Sequence, residues 1–141
     1  MANLVILDTG PMVALLNRRD KFHDWVKREL SQIDVPIVSC EAVFSEASYL
    51  MRGTDYGFRR LCALASEGLV ELNFSLSSQF ESVATLLRKY QDTPMSFADA
   101  CVVRMSEVLP HSKVLTIDSD FLHYRRNGRN VIPLIYPGSK K

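Results

Sequence analysis

Short apolar runs alternate along the chain with stretches in which apolar residues return every three or four positions. The first run, "NLVILD" at residues 3–8, is aliphatic and β-branched without alternation, and predicts a strand buried on both faces that ends at Asp8. "TGP" then turns the chain, and Pro11 suits the first turn of a helix reaching about Leu16. After the polar break "RRDKFHD", Phe22, Trp25, Val26, Leu30 and Ile33 keep helical spacing. "VPIV" predicts a second strand, and Ser39 is placed to cap a helix that runs to about Arg52, where "RGTDYG" stops it. Phe58, Leu61, Cys62 and Ala65 mark another helix, ended by Gly68. "LVELNF" alternates like a strand, and Phe80, Val83, Leu87 and Tyr90 predict a helix. "SFADACVVRMSEVL" predicts one more helix, "KVLTI" a strand, and a polar turn leads to a last strand near "VIPLIY".

Strands separated by helices imply an α/β architecture: three layers, α/β/α, around a central and mostly parallel sheet of about five strands, in a single domain over residues 1–141. Open sheets of this kind bind ligands beyond the carboxyl ends of their strands. Asp8 ends the first strand, and Asp118 and Asp120 follow "KVLTI", so both ends point to one rim.

Each of these acids has an ordinary structural use. Asp8 can cap the next helix or close an Asx turn, and "DSD" before Phe121 resembles a short helix start. Ser96 and Asp99 fit a capping box, although Asp99 also borders the apolar stripe of Ala98, Cys101, Val102, Met105 and Leu109. Glu46 is the outlier. It falls within the apolar arc of Val43, Ala47 and Leu50, where an ionised carboxylate must pair, change its pKa or bind a cation. A buried salt bridge, for example with Arg104, is the competing explanation. Glu41 lies on the polar side near a helix start, where it favours the helix dipole.

Composition narrows the partners. Hydrophobic residues at 47% and charged residues at 23% are an ordinary globular balance, and a net charge of +1 supplies no global field for nucleic acid, so any such contact needs a local basic patch. Cys40, Cys62 and Cys101 are odd in number and embedded in apolar sequence, which reads as buried thiols in a reducing compartment. The histidines have no zinc-ligand spacing. "MANLVILD" lacks the features of a secretion signal and no run approaches 18 apolar residues, so a soluble, cytoplasmic protein without membrane contact is expected. Four acids gathered on one rim would repel one another, and a hard divalent cation resolves that; oxygen donors without His or Cys favour Mg2+ or Mn2+. Phosphodiester hydrolysis is the chemistry such a site supports.

Four segments, in order, resemble the motifs of the PIN domain family, and in particular its VapC-type toxin ribonucleases. "LDTGPMVALLN" is similar to the family's opening strand and turn, "CEAVFSEASYLM" to its acidic helix, "MSFADACVV" to its third acidic motif and "VLTIDSDF" to its strand-end motif. The resemblance implies that Asp8, Glu46, Asp99 and Asp118 are catalytic and bind the metal, with Asp120 as an auxiliary ligand and Thr9 and Thr116 orienting the site. It implies cleavage of single-stranded RNA by a metal-activated water, leaving a 5′-phosphate and a 3′-hydroxyl. It also implies a homodimer and a small antitoxin covering the acidic pocket.

An acidic rim needs flanking cations to accept a polyanion. "HYRRNGRN" offers Arg125, Arg126 and Arg129, with Tyr124 and His123 to stack on bases; an ordinary solvated turn explains the same residues equally well. Arg52, Arg59 and Arg60 form a second candidate patch, and Trp25, which fits its helix's apolar spacing, reads as core or packing surface rather than a base-stacking residue. Three rival functions remain. A phosphoacceptor domain would need paired acids after the first strand and a Lys at a late strand end, which "DTG" and "TIDSD" lack. A catalytically idle PIN scaffold is compatible with the same fold, while a flap-type DNA nuclease would need long insertions that are missing.

Overall fold

Ile6, Leu7, Val38, Val114 and Leu115 are wholly enclosed, as unbroken apolar runs require of strands covered on both faces. The computed structural model describes residues 3–54 and 56–139; Lys140 and Lys141, expected as a frayed tail, lie outside the described residues. In chain order the elements are β1 (Leu4–Leu7), α1 (Thr9–Leu16), α2 (His23–Ser31), β2 (Ile37–Ser39), α3 (Glu41–Leu50), α4 (Gly57–Ser66), β3 (Glu71–Leu72), α5 (Leu76–Lys89), α6 (Phe97–Val108) and β4 (Ser112–Leu115). A short 3-10 turn (Ser119–Leu122) follows, then β5 (Arg125–Arg126), β6 (Asn130–Val131) and β7 (Leu134–Ile135).

The main sheet has five strands in the order β3-β2-β1-β4-β7, and every pairing is parallel. The chain moves one way from β1 through β2 to β3, then crosses back to β4 and β7. α1–α4 pack among themselves and α5 packs on α6. With right-handed crossovers, that reversal sends the two groups to opposite faces and completes the three layers. It also makes the gap between β1 and β4 the topological switch point, where a parallel sheet opens a crevice at its carboxyl rim.

Several local expectations change. Ser39 does not cap α3: its hydroxyl donates to the Leu7 carbonyl at 2.9 Å and ties β2 to β1, while Cys40 takes the N-cap position. Cys62 is exposed on α4, whereas Cys40 and Cys101 are buried, and all three are free thiols. "VIPLIY" is not one strand. Its first residue pairs with β5 in an antiparallel hairpin and only Leu134–Ile135 joins the main sheet, because Pro133 has no N–H for a ladder. The signal for that hairpin is Asn127-Gly128, both at positive φ (52° and 88°), inside what reads locally as a polar turn.

Candidate active site

β1 and β4 pair from Leu4↔Ser112 to Leu7↔Leu115, so the residues that follow each strand emerge side by side. The Asp8 N–H donates to the Leu115 carbonyl at 3.1 Å, and the Thr116 hydroxyl donates to Asp8 Oδ2 at 2.8 Å. That hydroxyl oxygen also accepts from the Asp118 N–H at 3.0 Å. One buried threonine therefore holds the side chain of the first acid and the backbone of the last. Asp8 occupies the N-cap position of α1, yet its carboxylate makes no cap hydrogen bond, and it is only 4% exposed.

Asp99 reaches the same rim because α6 runs antiparallel to β4 and begins where β4 ends. The capping box is present: Ser96 Oγ accepts from the Asp99 N–H at 3.0 Å, and Asp99 Oδ2 accepts from the Ser96 N–H at 3.3 Å. The same Oδ2 accepts from the Tyr124 hydroxyl at 2.9 Å. Asp99 Oδ1 accepts no hydrogen bond from any described residue. Capping and site duties thus fall on different oxygens of one carboxylate.

Glu46 is half-buried on the second turn of α3. The salt bridge considered for it does not form: Arg104 pairs with Glu107 at 2.9 Å and donates to Gln79 at 2.7 Å. Asp118 Oδ1 accepts from the Asp120 N–H at 2.9 Å, so Asp120 shapes the turn that presents Asp118. Together Asp8, Thr9, Gly10, Glu46, Leu50, Pro94, Ser96, Asp99 and Asp118 line one cavity of about 300 Å3. Asp120 is adjacent to it through Asp118 and is not part of its lining.

The electrostatics are those of uncompensated acids. Burial pushes Asp8 up to about 7 from its ordinary 3.8, and the charges of Asp99 and Asp118 push the same way against the Thr116 hydroxyl and the Thr9 N–H. Asp99 is raised by burial and by Asp118, opposed by its bonds from Tyr124 and Ser96. Asp118 is raised by burial, with Asp120 and Glu46 adding to it and the Asp120 N–H opposing. Among the described residues the only ion pair is Arg104–Glu107, so no guanidinium or ammonium offsets the pocket.

No three carboxylate, imidazole or thiol groups among the described residues close on one point as they stand. The donor set nevertheless suits a hard cation, being all oxygen and mutually repulsive. Thr9 Oγ1 is buried at this rim without a hydrogen-bond partner, the kind of orphaned atom that a bound group satisfies.

The hairpin residues are placed differently from expectation. Tyr124 is fully buried, with its ring edge-on to Tyr90 and Phe121 at 5.2 and 5.0 Å, and therefore cannot stack on a base. Arg126 donates to the Ser106 carbonyl at 3.0 Å and the Pro110 carbonyl at 3.5 Å, at the far end of α6 from Asp99. Arg125 donates to the Leu122 and Tyr124 carbonyls; Arg129 and His123 are exposed. Burial of Tyr124 follows from pairings between elements far apart in sequence, and no local pattern announces it. Tyr124→Phe is expected to lower stability by about 1 kcal/mol, and Tyr124→Ala by about 3–5 kcal/mol, in denaturant titrations. Equal, negligible losses for both would return Tyr124 to the surface.

Residues 5–127 match the PIN domain family. Among solved structures the chain is similar to Mycobacterium tuberculosis VapC20, described as a sarcin-ricin loop cleaving toxin, with a TM-score of 0.75 and 19% identity over 82% of this chain and 91% of that one. No curated protein sequence matches significantly. The structural likeness, at that identity, speaks for the fold. The family match runs from β1 into the β5–β6 hairpin and so takes in every element that lines the acidic pocket: the chain belongs to the PIN domain family.

Proposed function

We propose that the chain is a Mg2+- or Mn2+-dependent endoribonuclease that hydrolyses phosphodiester bonds of single-stranded RNA, and that it is the toxin of a toxin–antitoxin pair. The observation that supports this most is the pocket itself, where Asp8, Glu46, Asp99 and Asp118 arrive from four separate elements and no cationic side chain among the described residues pairs with them. A protein gains nothing in stability from such an arrangement, and clustered acids of this kind mark functional sites. VapC20's described action on an RNA loop favours RNA over DNA as the polymer.

Asp8, Glu46, Asp99 and Asp118 would hold the ion, with Asp120 as the auxiliary acid. When bound, the ion neutralises charge at the scissile phosphate and lowers the pKa of a water. The protein's own part is positional. Thr116 fixes Asp8 Oδ2, Ser96 and Tyr124 fix Asp99 Oδ2, and the Asp120 N–H fixes Asp118 Oδ1, so three of the four acids keep one oxygen in place. Water adds to phosphorus, the bond to the 3′ oxygen breaks, and the products carry a 5′-phosphate and a 3′-hydroxyl.

Partners belong to the same proposal. Tyr49, Leu50 and Phe97 are exposed beside the pocket, and a second copy or a small antitoxin would cover that apolar surface. No described helix is long and apolar enough to cross a membrane.

The purified chain, incubated with end-labelled unpaired RNA, is expected to cleave with Mg2+ or Mn2+ and to stop on addition of a chelator. Products should be ligatable through their 5′-phosphates. No cleavage with either ion would sink the enzymatic reading in favour of an idle scaffold.

A further inference from the structure

Arg125 and Arg126 spend guanidinium N–H groups on main-chain carbonyls, so most of the cations that a polyanion needs beside an acidic pocket must come from elsewhere. We infer that the groove between the C-terminal end of α1 and the N-terminal end of α4 binds the phosphates of an unpaired RNA strand whose scissile bond lies in the acidic pocket. The inference rests on the ribonuclease reading above. The groove encloses about 540 Å3 and presents Arg18, Arg19 and Arg60 together with Asn17, Thr54 and Gly57.

Two helices connect the groove to the acids. α1 carries Thr9 and Gly10 at the acidic pocket and Leu16 at the groove, and its eight residues span about 12 Å. α3 does the same: Glu46 and Leu50 line the pocket, and Gly53 and Thr54 follow at the groove. A strand a few nucleotides long reaches from one to the other.

The chemistry of the groove is that of a phosphate site. Arg18 and Arg19 are exposed, and their side chains make no hydrogen bond or ion pair with a described residue. Arg60 donates one N–H to the Leu16 carbonyl at 3.3 Å and lies over the Tyr56 ring at 5.5 Å, which leaves the rest of its fork for a phosphate. α4 has no acid in its first turn and no side-chain cap from Tyr56, so the positive end of its dipole is not offset by its own residues. Tyr56 is 60% exposed and offers a ring for an unpaired base. The two helices shared with the acidic pocket select RNA over an acidic protein as the occupant.

The test uses Asp99→Asn as a non-cleaving background and titrates a labelled unpaired RNA in Mg2+. Adding Arg18→Ala and Arg19→Ala should weaken binding at least tenfold at 0.1 M salt. It should also flatten the plot of log affinity against log salt by about 1.4, from 0.7 for each lost phosphate contact. Neither side chain supports the fold, so the melting temperature should not move. In the cleaving chain the same pair should raise KM for a long RNA, while a dinucleotide too short to reach the groove keeps its kcat/KM.

Unchanged affinity and salt slope overturn the inference. So does unchanged RNA binding accompanied by lost binding of a polyglutamate peptide, which assigns the groove to an acidic protein. A wild type that cleaves nothing defeats the ribonuclease reading alone, because the binding titration needs no turnover.

Discussion

Asp99→Asn should reduce RNA cleavage by 10²–10³-fold or more, with no loss of thermal stability in metal-free buffer. The asparagine carbonyl oxygen can replace Oδ2 and accept from both the Ser96 N–H and the Tyr124 hydroxyl, so the capping box and the buried tyrosine keep their partner. Only Oδ1, which accepts no hydrogen bond from a described residue, becomes an NH2 group that cannot bind a cation. Removing the charge also relieves Asp8, whose protonation is favoured by Asp99. Asp99→Ala differs, since it deletes the box and should cost about 1 kcal/mol as well as activity. Rates and melting curves on both variants separate the two duties of this carboxylate. An Asp99→Asn protein that cuts like wild type would leave Asp99 as helix architecture alone.

The second large effect is on stability. In chelator, the wild type should grow less stable as pH rises from about 4 to about 7. Asp8 binds its proton more tightly in the folded state, with a pKa near 7 against 3.8 ordinarily. Between those values the native state carries more protons than the unfolded chain, so unfolding becomes easier with rising pH and the loss is complete above about 7. The rise corresponds to roughly 4 kcal/mol. Asp99 and Asp118 are raised as well and act in the same direction. Asp8→Asn keeps an oxygen for the Thr116 hydroxyl and should remove most of this slope, melting above wild type at pH 8 without metal. Millimolar Mg2+ should restore wild-type stability at pH 8 by binding the native state, and should do little for Asp8→Asn. Denaturant titrations at pH 5 and 8, with and without Mg2+, check all three expectations. A flat wild-type profile would mean that Asp8 is not held in the environment described.

The local pattern located most helices well, because a helix face announces itself every three or four residues. It was less reliable where a strand is short or a turn carries special backbone angles. Asn127-Gly128 is a hairpin signal inside a segment read as a solvated turn, and Ser39 sits one residue before the position that would have capped α3. Tyr124 misled for another reason. A tyrosine between a histidine and two arginines looks like a surface element in one dimension, and its burial depends on α5, α6 and the 3-10 turn meeting around it.

The order and spacing of residues were enough to set the α/β alternation and the strand ends that carry Asp8 and Asp118. These are properties of neighbours along the chain, governed by side-chain periodicity and the preferences of caps and turns. Spacing also put Glu46 inside an apolar arc, whereas the fold buries Val43 and Ala47, leaves Leu50 exposed and half-buries Glu46. The pairing of β1 with β4, the crossing back from β3, and the start of α6 at the same rim belong to the folded molecule alone. They bring residues 8 and 118 together and decide which oxygen of Asp99 is spoken for. Such contacts close loops of more than a hundred residues, and it is the packing of the whole sheet that selects them.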